Sequence, residues 1–472
     1  MNKMLCYNYL MDPEKRARRQ SLRIIVSESI MVVAVVAVVT VLALIVSGYW
    51  INSDFTVERQ GMLQVSSVPT GANVEIDGES NIFQRTNTSK VLSSGEHSVV
   101  LTKDGYDSWS KTIKVREGLL YRLHYPRLFL LEREKKAVYD AVSATFATVS
   151  PNRKRVLIAN DTTMWTLLNL DSENLEPRTI DISKIFSAVS LAEGASSGLF
   201  SGTILDADWD GASEHVLFKI QNGESLEWVL ININTPSTSV NLTREFATDF
   251  SEVQIFDQSS GTLLAIRNGN LHRIDVSNRQ ISAILAENVQ SYDHLDSNLV
   301  YIAGGEAVLT KIGSNNLTKL DDIVVDANAK IFISQFYDDK YITVVTGDRI
   351  SVYKKDSNSD VVSKSISFIP DFVKIGHAGE FVFMRSGTSI ATFDMESLDI
   401  HEWTLDSLHF GWLDDDMIYD VKDGTLVIYD FDGLNRRELA TNVSERFPVT
   451  ITSDKWLYYF SDGNLIREVI TK

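Results

Sequence analysis

The chain has 472 residues, 44% apolar and 23% charged, a balance that excludes wholesale disorder. Lys and Arg number 45 against 63 Asp and Glu, a net charge of −18, which is the opposite of a nucleic-acid-binding footprint. The single cysteine, Cys6, excludes an intramolecular disulfide and a cysteine-based metal site.

Residues 1–29 form a basic tail holding Lys3, Lys15, Arg16, Arg18, Arg19 and Arg23. Residues 30–50, from Ile30 to Trp50, carry no charge. As a helix they would span about 31 Å, close to a bilayer core, with Tyr49 and Trp50 at an aromatic belt. The pattern predicts a single-pass transmembrane helix. The basic flank places the N-terminus in the cytoplasm and residues 51–472 outside the membrane. A cleaved signal peptide is the alternative, disfavoured by the length of the run and the lack of an A-x-A site. An exported part without cysteine fits a bacterial cell envelope. Residues 51–60 read as a linker.

Residues 61–131 read as short strands broken by turns. Val74-Glu75-Ile76 is a strand that ends at Asp77-Gly78, a hairpin signal. Ser94-Gly95-Glu96-His97 and Asp104-Gly105-Tyr106 mark further turns. The string Val68-Pro69-Thr70-Gly71-Ala72, then Gly95-Glu96-His97-Ser98-Val99 and Lys103-Asp104-Gly105-Tyr106, resembles the PEGA domain. Arg85-Thr86-Asn87-Thr88 stands where that family usually has a Gly-x-Thr-Pro-like element. The resemblance implies a small β module of exported proteins that mediates adhesion or surface contact and brings no catalytic residues.

Residues 132–472 repeat a strand, a polar turn, an apolar strand, a glycine turn and a further strand. The equivalent glycines are Gly223, Gly269, Gly305, Gly347, Gly387, Gly424 and Gly463. Their spacing of about 40 residues is the blade length of a β-propeller. Eight blades fit best, and seven fit if a terminal unit is incomplete. The last unit offers three strands, so an N-terminal strand from Ala137–Ser143 is expected to close the ring and remove an open edge. Val149-Ser150-Pro151-Asn152-Arg153-Lys154 and Asp430-Phe431-Asp432-Gly433 resemble turns of WD-like and Tol-system propellers. The predicted fold class is therefore all-β with one transmembrane helix, a PEGA-like module and a propeller.

Several strings carry residue types with chemical potential. Gly194-Ala195-Ser196-Ser197-Gly198 matches a nucleophile elbow but lies in a Ser/Gly-rich insertion rather than between strand and helix. Asp414-Asp415-Asp416 reads as a solvated turn, against a cation site or a carboxylate pair for glycoside cleavage. Asp206, Asp208 and Asp210 alternate as calcium-loop ligands do, and a divalent cation is the only cofactor they suggest. His215, His272, His294, His377, His401 and His409 lack metal-ligand spacing. Tyr106 and Trp109, and His401 with Trp403, are candidate stacking surfaces, with core packing the alternative.

These readings point to a membrane-anchored, non-enzymatic envelope scaffold whose propeller binds a protein or glycan. The alternative is a propeller enzyme that acts on envelope or capsule polysaccharide. A sensor function is weaker, because the basic tail holds no signalling domain. Acidic residues from several blades converging on one funnel would separate the first two.

Overall fold

The computed structural model describes residues 13–46, 49–51, 57–186, 200, 202–256, 261–314, 316–320, 323, 325–355, 361–376 and 378–472. The chain divides into two compact units, Met1–Leu128 and Phe129–Lys472.

In the first unit a helix runs Pro13–Val46. Tyr49–Ile51 is a strand paired antiparallel with the start of Val57–Val65, through Tyr49↔Arg59 and Ile51↔Val57. The aromatic pair expected to finish the helix is thus in extended backbone. The uncharged helical stretch from Ile30 stops at Val46 and covers about 25 Å, short of the span read from the sequence. Among the described residues no helix is long and apolar enough to cross a membrane. The transmembrane helix over 30–50 is corrected on this finding. The single-pass membrane address and the membrane as a partner go with it.

The rest of this unit is two four-stranded sheets. One joins Tyr49–Ile51, Val57–Val65 and Thr88–Ser93, with Leu120–Leu123 parallel to Val57–Val65. The other runs in the order Glu79–Arg85, Asn73–Ile76, Gly95–Thr102, Trp109–Val115. Strand period decides the core: His97, Val99 and Leu101 are buried, while Glu96, Ser98 and Thr102 are exposed. They join Leu63, Val65, Val74, Ile76 and Ile113 inside. Asp77 and Gly78 sit at φ 55° and 78°, as a two-residue hairpin with two left-handed positions requires.

The second unit is a ring of eight four-stranded antiparallel sheets. Their inner strands are Ala144–Val149, Thr203–Trp209, Glu252–Ile255, Val289–Leu295, Lys330–Phe336, Phe372–Ile375, Phe410–Trp412 and Thr450–Thr452, for blades 1 to 8. Blade 8 takes its outermost strand, Lys135–Asp140, from the start of the unit. Each pair of neighbouring blades shares its own apolar core. Trp165 and Phe218 join blades 1 and 2, and Phe336 and Phe393 join blades 5 and 6. Leu168 and Leu170 of blade 1 meet Tyr458 and Phe460 of blade 8, which closes the circle. This arrangement is a β-propeller.

Candidate functional site

Inner strands line the axis of a propeller, so charges on them face a shared channel. Blade 2 carries Asp206 and Asp208, blade 3 Glu252, blade 4 Asp293, blade 5 Lys330 and blade 6 Lys374. Blades 7, 8 and 1 contribute Phe-Gly-Trp, Thr-Ile-Thr and Ala-Thr-Phe-Ala-Thr-Val, with no charge. The axis is therefore segregated into an acidic arc, a basic arc and an uncharged arc.

A cavity of about 440 Å³ lies along this axis, lined by residues of blades 1, 2, 6, 7 and 8. Phe372, Phe383, Phe410 and Trp412 form its aromatic wall. The Phe383 ring centroid lies 5.4 Å from Phe410 and 6.0 Å from Trp412. The Arg385 guanidinium lies 5.3 Å from the Phe372 centroid and 5.1 Å from that of Phe410, and pairs with Asp371 at 3.3 Å. Arg153 is held by both oxygens of Asp415 at 2.9 and 3.0 Å. Asp414 accepts the backbone N–H groups of Asp416 and Met417. The cavity charges left with neither an ion pair nor a hydrogen bond among the described residues are Asp208 and Lys374.

Solvent reaches Asp208 through the channel, yet protein surrounds it. Burial pushes its carboxyl up, Lys374 opposes the shift, and Asp206 and Asp210 add to it. Burial raises Glu252, partly offset by Lys330. Asp293 is pushed up to about 7 by burial, although its oxygens accept N–H bonds from Ile333 and His294.

Asp206, Asp208 and Asp210 are not brought within 4.8 Å of one another. The Asp210 carboxylate is spent on its own turn: it accepts from Glu214 N and His215 N and pairs with His215 Nδ1 at 2.8 Å. Trp109 is fully buried and meets Tyr125 edge-on at 5.9 Å. Tyr106 is half-buried under Lys103. His401 and Trp403 share the outer strand of blade 6, Ile400–Thr404, where His401 meets Phe431 and Trp403 meets Tyr429. His272, His294 and His409 each bond a backbone carbonyl. His377 and the 194–198 string lie outside the described residues. Sequence reading missed Glu252, Asp293, Lys330, Lys374 and the aromatic wall. Their one local signal is a charged or aromatic residue in the first strand of a repeat.

Residues 60–126 match the PEGA domain family. No curated protein matches the chain. Among solved structures, Kluyveromyces lactis Hsv2 is similar at 13% identity over 58% of this chain and 98% of that one, with a TM-score of 0.38. A further Kluyveromyces lactis Hsv2p structure gives 9% identity over 63% of this chain and 98% of that one, with a TM-score of 0.39. The ring of eight sheets, rather than these distant likenesses, defines the propeller. The chain thus carries a PEGA domain over residues 60–126, followed by a β-propeller.

Proposed function

We propose that the protein is a binding protein whose propeller takes its ligand in the axial channel, with the PEGA domain as a second, non-catalytic contact module. The observation that carries this reading is the cavity of about 440 Å³, with an aromatic wall and two uncommitted charges. A concave site that sets a few polar groups against an aromatic wall suits small-ligand recognition. The test is ligand-observed NMR of the full chain with indole as probe. Binding is expected in the wild type and is weakened in Phe410→Ala and in Trp412→Ala, each of which thins the aromatic wall. Equal binding in all three, or none in the wild type, sinks the reading.

A polysaccharide-cleaving enzyme is the second reading. It is favoured by Asp208, Glu252 and Asp293, raised carboxyls from three successive blades, of which Asp293 feels the charge of both others. Glycoside cleavage pairs a proton-holding acid with an ionised carboxylate. Reducing-end release from a polysaccharide panel, abolished in Asp208→Asn, would support it. No release from any member would remove it.

A further inference from the structure

The free charges of the cavity point to a ligand class, on the reading that the channel is the binding site. Asp208 stands on the inner strand of blade 2 and Lys374 on that of blade 6, positions that an eight-membered ring sets opposite each other. Both line the cavity, and the Lys374 charge opposes the upward shift of the Asp208 carboxyl. No ion pair joins them, nor ties either to another described residue. The channel wall strips part of the hydration of Asp208, and no hydrogen bond from the described residues replaces it. The other cavity charges are already committed: Arg153 to Asp415, Arg385 to Asp371 and two rings, and Asp414 to its own turn.

One ligand satisfies this pattern without leaving a charge unanswered. It carries an ammonium for Asp208, a carboxylate for Lys374 and an apolar group for the wall of Phe372, Phe410 and Trp412. A neutral sugar answers neither charge, and a simple anion answers only one. We infer that the axial channel binds a zwitterion bearing one apolar or aromatic group, the chemistry shared by a free aromatic amino acid and a short apolar peptide.

The test titrates the full chain with phenylalanine, phenylalanyl-phenylalanine, N-acetylphenylalanine, phenylalaninamide and indole, followed by calorimetry. One of the two zwitterions is expected to bind at least about tenfold more tightly than either blocked analogue, since each blocked end forfeits a charge-assisted contact. Whichever of the two binds tells free amino acid from peptide. Asp208→Asn is expected to erase the preference over the N-acetyl form and keep the preference over the amide. Lys374→Met is expected to do the reverse, a crossed pattern that misfolding does not produce. If indole binds in the channel and no zwitterion outbinds its blocked analogues, this inference is overturned and the channel reading stands. If nothing binds, both fall.

Discussion

His97 shows how one side chain ties a loop to a core. Its ring is buried, with Nδ1 2.6 Å from Asp77 Oδ2 and Nε2 2.8 Å from the Ser93 carbonyl. Both partners accept, so both ring nitrogens donate and the imidazolium is favoured. Burial by itself would lower its pKa; the bonds to Asp77 and Ser93 outweigh this and raise it. The same bond from His97, with the Ser98 N–H, lowers Asp77. The His97 contribution is full below its unfolded value and is lost as pH rises through the raised folded one. The Asp77 contribution is full above its unfolded value and is lost as pH falls through the lowered one. We therefore expect the stability of the PEGA unit to peak between about pH 4 and 6.5. His97→Gln should flatten that profile and cost about 1 kcal/mol, kept small because Asp77 is half exposed. Urea melts at several pH values check it; an unchanged profile in the variant removes the pair as its cause.

At the scale of the element, the repeat is legible where its signal is local. Gly223, Gly269, Gly305, Gly347, Gly387, Gly424 and Gly463 all have positive φ in tight turns between the second and third strands of their blades. That demand is met within a few residues, so it is written into the sequence. The packing between elements is not. Gly379, in the turn after the inner strand of blade 6, has φ 76°, and a Cβ there would sit 2.2 Å from the Gln335 carbonyl oxygen of blade 5. Nothing lies within 4 Å of the equivalent position on Gly387. We expect Gly379→Ala to cost more than about 3 kcal/mol and Gly387→Ala about 1 kcal/mol, the strain of φ alone. Thermal melts of the two variants measure the difference. Equal losses would show that the close approach of blades 5 and 6 carries no weight.

Across the whole molecule, ring closure is the decisive event. Lys135–Asp140 pairs with Asn464–Val469, and Arg133 reinforces this seam. Its guanidinium donates to Glu468 Oε1 at 2.5 Å, to the Leu130 carbonyl at 3.0 Å and to the Leu439 carbonyl at 2.6 Å. Glu468 is buried, and its other oxygen accepts from the Tyr459 hydroxyl at 3.0 Å. Arg133→Ala strands that carboxylate and should cost about 3 kcal/mol. Adding Glu468→Gln should return part of the loss, because the neutral amide needs no counter-charge. Denaturant melts of the two single variants and the double measure it; additive losses would refute the coupling.

The periodic elements are legible in the sequence: the PEGA landmarks, the glycine turns and the strand alternation. Each is dictated by contacts within a few residues, and local backbone sterics and burial period need no knowledge of the rest of the chain. The sequence misjudged the helix end, because an uncharged run does not say where Tyr49 and Trp50 leave the helix to pair with Glu58 and Arg59. It left Trp109 open between a stacking surface and the core, a choice made only when the sheets enclosed it. The tertiary structure alone brought Asp208, Glu252, Asp293, Lys330 and Lys374 to one axis. They lie on five separate blades, and no local pattern relates them. Only closure of an eight-membered ring turns isolated charges on inner strands into a channel with an acidic, a basic and an uncharged side.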